Sequence, residues 1–142
     1  MPASNDATLA YALLRFAFGI NLALHGLNRI LGGAGLFASK MTEDFAHTLP
    51  RALVYPFGVV LPFLELSIGV LLVLGAFTRP ALVAGSLLMA ALMFGTALKG
   101  DWNVLGTQLV YSLAYYVLLS RRVDDGYGID AWRFRGKFSR DI

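Results

Sequence analysis

Residues 54–77 read VYPFGVVLPFLELSIGVLLVLGAF, an apolar run in which Glu65 is the one charged side chain. A membrane-spanning helix needs about 20 mostly apolar residues, and this run supplies them. A charge at the centre of such a helix costs roughly 2.5 to 3.5 kcal/mol on insertion scales, so a partner must compensate Glu65. The run therefore predicts a membrane helix that carries a polar site.

Three more apolar runs of similar length occupy residues 9–28, 80–98 and 104–120. Over the whole chain 57% of the residues are hydrophobic and 15% are charged, and the mean hydropathy is +0.64. This composition does not describe the surface of a soluble domain. We therefore predict an all-α fold, an integral membrane bundle of four transmembrane helices.

The loop between the first two runs has its own periodicity. Phe37, Met41, Phe45 and Leu49 recur every four residues, after a glycine-rich turn and before Pro50. Apolar residues at this spacing share one face of an α-helix. The loop is therefore expected to form a short interfacial amphipathic helix that lies on the membrane surface and ends at Pro50.

Positive charge is concentrated after the last apolar run. Of the twelve Lys and Arg residues, six lie in residues 121–142, among aromatic and acidic side chains. We divide the chain into a membrane domain, residues 1–120, and a basic and aromatic tail, residues 121–142. Contact with anionic lipid headgroups explains the position of the tail better than contact with nucleic acid, which is not expected as a partner.

The loop charges also predict the orientation of the bundle. One side carries seven basic residues, Arg79 and the six of the tail, and the other side carries four. Because basic residues are favoured on the cytoplasmic side, both termini are expected there. The predicted location is the cytoplasmic (inner) membrane, which the chain crosses several times.

Arg15 and Glu65 are the charged residues inside the predicted spans. At about 1.5 Å per residue, Arg15 lies roughly 10 Å from the cytoplasmic side and Glu65 roughly 14 Å from it. Each shares a helix face with glycines, and such faces are where the helices of a membrane bundle pack. The similar depths predict that both side chains face one polar pocket in the cytoplasmic half of the bundle.

The fourth run adds polar side chains to this pocket. Gln108, Tyr111 and Tyr115 follow one another at helical spacing. The candidate site has Glu65 and Arg15 as catalytic residues. The residues expected to bind a ligand are Arg15, His25, Glu65, Gln108, Tyr111 and Tyr115. An ion pair between Arg15 and Glu65 that only fixes the helix register is the alternative interpretation.

The chain has no cysteine and only two histidines. Disulfide exchange and thiolate chemistry are therefore excluded, and a haem or a metal centre is not expected because convincing ligands are too few. A flavin or a metal that donates electrons would have to belong to a partner. The chain alone is not expected to be a complete enzyme.

Two short motifs carry a resemblance to a known family. Arg15, a following glycine and the sequence HGLNR at residues 25–29 form the first motif. The second is PFLELSIGVLLVLG at residues 62–75, closed by Thr-Arg at 78–79. Together they resemble the DoxX/DoxD-like family of small four-helix membrane proteins, up to about Ser120. The resemblance implies a membrane subunit of an oxidoreductase system, as in thiosulfate:quinone oxidoreductase, with quinone as the ligand.

The sequence is consistent with three functions. The leading hypothesis is a membrane subunit associated with a quinone-linked oxidoreductase system, in which the region of Arg15, Glu65 and Tyr111 binds the quinone headgroup or relays its protons. The alternatives are a non-catalytic subunit that anchors or assembles a larger membrane complex, and a proton-coupled transporter of a small lipophilic compound. The expected partners are membrane lipids and other protein subunits, and a homo-oligomer is also open.

Overall fold

The described part of the chain is built from helices. A computed structural model describes residues 5–138, with side chains for residues 5–133. In that range the α-helices are α1 (Asn5–Leu31), α2 (Ala34–Asp44), α3 (Arg51–Leu74), α4 (Thr78–Lys99), α5 (Trp102–Ser120) and α6 (Ile129–Phe138). A 3₁₀ turn, Arg122–Asp124, precedes α6. The last part of the predicted tail, residues 139–142, lies outside the described residues.

Three of these helices, α1, α3 and α4, are long and apolar enough to cross a membrane. They correspond to the runs predicted at residues 9–28, 54–77 and 80–98. Large apolar side chains on their outer faces, such as Leu13 and Leu87, are exposed and therefore contact lipid. The fourth predicted run forms α5, and its passage through the membrane stays a prediction.

Helices α1 and α3 pack against each other at backbone distance. A Cβ atom on Gly19 would lie 2.7 Å from the backbone nitrogen of Val73 and 2.9 Å from the carbonyl oxygen of Gly69. About two turns further along α1, Gly26 lies against the backbone of Leu66. No side chain fits at these positions, so glycine permits the approach and sets the register of the two antiparallel helices. The prediction that glycine faces bring these helices together is confirmed.

Helix α2 lies in the first loop and packs on α3. Ala38 is fully buried, and a Cβ atom on Gly58 would lie 2.9 Å from its Cα atom. The helix ends at Asp44, and not at Pro50 as predicted, because the chain must reverse before α3 begins. Its position on the membrane surface stays a prediction.

The tail folds back onto the end of the bundle where α1 begins. Arg15 is 4% exposed and donates hydrogen bonds to the carbonyl of Leu72, at 2.8 Å, and to the carbonyl of Tyr127. Its Nε atom lies 3.7 Å from Oδ1 of Asp125. Arg15 therefore joins α1, the last turn of α3 and the tail. Both ends of the described chain lie at the same end of the bundle.

Asp130 attaches α6 to the start of α4. Its carboxylate accepts hydrogen bonds from the backbone N–H groups of Phe77, at 3.0 Å, and of Thr78, at 2.8 Å. N–H groups at a helix N-terminus have no partner within their own helix, so an acceptor here stabilises it. Burial alone would raise the pKa of Asp130, but the hydrogen bonds from Thr78 and Phe77 hold that pKa below its ordinary value. The ionised carboxylate is therefore the form that holds the tail.

Replacing Asp130 by Asn should weaken this attachment. Helix caps contribute about 0.5 to 2 kcal/mol, so we expect the melting temperature of the purified protein in detergent to fall by about 2 to 8 °C at neutral pH. Because the pKa of Asp130 is lowered in the folded protein, its contribution is complete above the ordinary value of about 3.9 and is lost as the pH falls through the lowered value. The two proteins should therefore converge in melting temperature in strong acid.

The matched control for this experiment is Glu43→Gln, which changes an exposed carboxylate near the end of α2. It should melt like the wild type throughout the pH range. Equal melting temperatures for the wild type and Asp130→Asn at neutral pH would contradict the role given to Asp130.

Candidate functional site

A polar cavity of about 210 Å³ lies among α1, α3, α4 and α5. Most of its polar lining comes from α1 and α5, and α3 contributes one carboxylate. The polar side chains around it are Asn21, His25, Arg29, Glu65, Thr107, Gln108, Tyr111 and Tyr115. The structure thus brings five of the six residues expected to bind a ligand around one cavity: His25, Glu65, Gln108, Tyr111 and Tyr115. Their role in binding stays a prediction.

The floor of the cavity holds an ion pair between a buried carboxylate and a partly exposed guanidinium. Glu65 is 3% exposed, and Nη1 of Arg29 lies 2.5 Å from each of its carboxylate oxygens. The guanidinium also lies over the ring of Phe37 on α2, with Cζ 4.6 Å from the ring centroid. The charge of Glu65 is therefore balanced by an arginine from the last turn of α1.

The predicted pairing of Glu65 with Arg15 is wrong. The guanidinium of Arg15 lies beside Gly75, almost three turns of α3 away from Glu65, which is about 15 Å along the helix. The depth estimate assumed that α1 and α3 end at the same level. The first turn of α1 instead extends beyond α3, where Thr8 contacts Gly126 of the tail. Arg15 is therefore not part of the cavity, which lies towards α2 and not in the predicted cytoplasmic half.

Aromatic rings form one wall of the cavity. Tyr115 is 2% exposed and lies against Gly85, where a Cβ atom would come within 2.5 Å of the tyrosine hydroxyl oxygen. Phe18 packs edge-on to Tyr115, with 5.0 Å between centroids, and lies 5.2 Å from the ring of Tyr111. The hydroxyl of Tyr111 donates a long hydrogen bond, 3.4 Å, to Oδ1 of Asn21. This bond is a weak link between α1 and α5.

The cavity opens sideways between α1 and α5. These two helices contact each other sparsely, whereas α1 packs closely on α3, and α4 on α5. Asn21 and His25 line the cavity and are exposed, whereas Glu65 and Tyr115 line it and are buried. The cavity therefore extends from the exposed residues Asn21 and His25 inwards to the buried carboxylate of Glu65.

A larger cavity of about 410 Å³ lies between the α2 region, α3 and α4. Its lining is apolar except for Thr96 and Lys99, and Leu92 separates it from the polar cavity, because this side chain lines both. The ammonium group of Lys99 is paired with Asp44 at 3.2 Å. The larger cavity offers few groups for binding a polar ring, so the polar cavity is the candidate site.

The chemistry of the lining suits an organic ligand. Within residues 5–138 no group of three or more His, Asp or Glu side chains is placed to hold a metal ion. The cavity offers instead a guanidinium, a carboxylate, hydroxyl groups and an amide, which bind polar groups through hydrogen bonds. Its volume is below the roughly 300 to 1,000 Å³ of pockets that enclose a whole drug-sized ligand. A cavity of this size has room for a single ring.

Asn21, Arg29 and Thr107 are the polar site residues that sequence reasoning missed. An arginine near the end of a membrane helix is expected to reach for the lipid headgroups, so Arg29 did not stand out as a partner for Glu65. The available signal was its position on the glycine-bearing face of α1, three residues after Gly26. Arg15 lies on the same face of α1, so this signal distinguishes the two arginines only when the register of α1 on α3 is known.

The fold and the site define a multi-pass membrane protein with a ring-sized polar cavity among its helices. A family model described as DoxX matches residues 10–101. The chain therefore belongs to the DoxX family, and the predicted resemblance is confirmed. The match includes Arg29 and Glu65 and ends before α5 and the tail. Comparisons with curated proteins and with solved structures give no match.

Removing Arg29 should destabilise the protein strongly. Arg29→Met leaves the carboxylate of Glu65 buried without its partner, and losing one member of a buried pair costs about 3 to 5 kcal/mol. The double variant Arg29→Met, Glu65→Leu has no charge to compensate and should recover most of that loss. Denaturant unfolding in detergent, followed by circular dichroism, measures both effects.

Lys99→Met is the matched control, because it breaks the more exposed pair with Asp44 and should cost no more than about 1 kcal/mol. A double variant as unstable as Arg29→Met would show that Arg29 does not act by compensating the charge of Glu65. The same conclusion would follow if Arg29→Met proved as stable as Lys99→Met.

Proposed function

We propose that this DoxX-family protein is a membrane subunit of a quinone-linked oxidoreductase system, and that the polar cavity binds the quinone headgroup. The observation that carries the proposal is the buried Arg29–Glu65 pair at the floor of a ring-sized cavity that opens between α1 and α5. A polar ring on a long apolar chain suits such a site, because the ring enters the cavity while the chain stays in lipid. Membership of the DoxX family supports the proposal.

In this proposal α5 is the fourth membrane-spanning helix. Its 19 residues extend about 28 Å, close to the thickness of about 30 Å of the hydrocarbon layer. Its polar residues Thr107, Gln108 and Tyr111 line the cavity. Four crossings place both termini on one side, and the basic residues of that side favour the cytoplasm.

Arg29 binds and orients the ring, and Glu65 exchanges protons with it. A guanidinium has five N–H donors, so donors that do not face Glu65 are available to a ring oxygen. The carboxylate of Glu65 takes up or releases a proton at Oε1 or Oε2. His25, one turn before Arg29 and exposed at the gap, can pass protons between the cavity and the membrane surface. Electrons come from a partner subunit.

Quinone binding should stabilise the wild type and not Glu65→Gln. A ligand present at 100 times its dissociation constant adds about 2.7 kcal/mol of stability, so a short-chain benzoquinone should raise the melting temperature of the protein in lipid nanodiscs. Glu65→Gln removes the carboxylate and should lose that increase. Asp44→Asn makes the same change in an exposed ion pair away from the cavity and should keep it.

Because Glu65→Gln also disturbs the ion pair, Tyr111→Phe serves as a second variant that leaves the pair intact. It removes a hydroxyl whose long bond to Asn21 can be exchanged for one to the ring, so it should weaken quinone binding with little change in the melting temperature without ligand. A wild-type protein that no quinone stabilises would overturn the proposal.

Activity in native membranes separates this proposal from the two alternatives. A quinone-binding subunit predicts that Glu65→Gln lowers quinone-dependent turnover at least about tenfold while the complex still assembles. Unchanged turnover with normal assembly would favour an anchor or assembly subunit. Uptake of a lipophilic compound into vesicles, driven by a pH difference and lost in Glu65→Gln, would favour a proton-coupled transporter.

A further inference from the structure

The amide of Gln108 carries an unused hydrogen-bond acceptor beside the polar cavity. Its Oε1 atom is buried and has no hydrogen-bond partner within the described part of the chain. Leaving a buried acceptor unpaired is costly, and native structures do so rarely. The atom therefore indicates a partner that the chain itself does not supply.

Thr96 fixes the orientation of this amide. The hydroxyl of Thr96 donates its only proton to the carbonyl of Leu92, at 2.9 Å. Its oxygen can then only accept, so the group that Gln108 presents to it, at 3.0 Å, is the Nε2 donor. Turning the amide over would bring two acceptors together. Gln108 lines the polar cavity, and its Nε2 donor is engaged by Thr96, which lines the larger cavity, so Oε1 is the atom of the amide left for a partner.

Two hydroxyl groups next to Gln108 on α5 have acceptors within the chain. The hydroxyl of Thr107 donates to the carbonyl of Asn103, at 3.3 Å, and that of Tyr111 makes only a long bond to Asn21. At the floor of the cavity both carboxylate oxygens of Glu65 already accept from Arg29, whose other N–H groups remain donors. Oε1 of Gln108 is an acceptor instead, so a ligand group that donates a hydrogen bond is the match for Gln108.

On the basis of the proposed quinone site, we infer that the cavity binds the reduced form of its ligand more tightly than the oxidised form. Oε1 of Gln108 accepts a hydrogen bond from a hydroquinone hydroxyl. A quinone carbonyl has no proton to donate and would set its lone pairs against those of Gln108. A hydroquinone hydroxyl donates one hydrogen bond and can still accept another. Thr96 is a positioning residue for this selection, because it holds the amide in the orientation that accepts.

The test compares the dissociation constants of a decyl-substituted benzoquinone and of its hydroquinone. Both are measured with the full-length protein in lipid nanodiscs without oxygen, and an excess of reductant keeps the hydroquinone reduced. The wild type should bind the hydroquinone about tenfold more tightly or better, since pairing a buried acceptor is worth at least that factor. The dimethyl ether of the hydroquinone keeps the ring, loses both donors and should bind no better than the quinone.

Two variants should abolish the preference by opposite routes. Thr96→Val keeps the side-chain shape and frees the amide to turn, so quinone binding should strengthen until the two affinities are similar. Gln108→Met removes the amide, so hydroquinone binding should weaken to the level of the quinone. A purely structural role for either residue would move both affinities together. Ser112→Ala, whose hydroxyl contacts Met93 outside the cavity lining, should keep the wild-type ratio.

The outcomes separate this inference from the proposed function. Equal wild-type affinities for the two redox forms, as expected if a water molecule satisfies Gln108, would overturn the inference and leave the quinone site standing. A hydroquinone preference that survives both Thr96→Val and Gln108→Met would overturn the assignment to Gln108. If neither redox form binds the wild type, that result would overturn both the proposed quinone site and the inferred preference for the hydroquinone.

Discussion

A carboxylate in the middle of an apolar helix needs a cation beside it, and in this protein the backbone contact between α1 and α3 provides one. Glycines on both helices let them approach until Gly26 lies against Leu66, next to Glu65. Arg29, less than one turn further along α1, then reaches both carboxylate oxygens. The cavity depends on this pair, because an uncompensated charge at that depth would oppose insertion of α3 into lipid.

Helix α1 carries another arginine, Arg15, which is buried and has a separate role. Arg15 points to the opposite end of the bundle, where it joins the last turn of α3 to the tail. Asp130 adds a second attachment of the tail at the start of α4. The two arginines therefore have different roles on one helix. Arg29 neutralises Glu65 in the polar site, and Arg15, together with Asp130, holds the tail against the end of the bundle where α1 begins.

Much of this arrangement follows from local sequence patterns. The apolar runs predict α1, α3 and α4, and the spacing of Gln108, Tyr111 and Tyr115 predicts which face of α5 lines the cavity. The partner of Glu65 does not follow, because counting depth from helix ends assumes that the ends align. The real register comes from contacts such as that of Gly19 with Val73, between residues far apart in the chain. The hydrogen bonds that Asp130 accepts at the start of α4 could not be predicted either, because no local sequence pattern links Asp130 to Phe77.

The most direct test of this account is the distance from the Glu65 carboxyl carbon to arginine guanidinium nitrogens in lipid bilayers. Solid-state NMR with ¹⁵N-labelled arginine and ¹³C-labelled glutamate measures it, and Glu43 is the only other glutamate in the sequence. We expect a contact at hydrogen-bonding range that persists in Arg15→Lys and disappears in Arg29→Lys. A contact that disappears in Arg15→Lys and persists in Arg29→Lys would contradict the register of α1 on α3 and the site built on it.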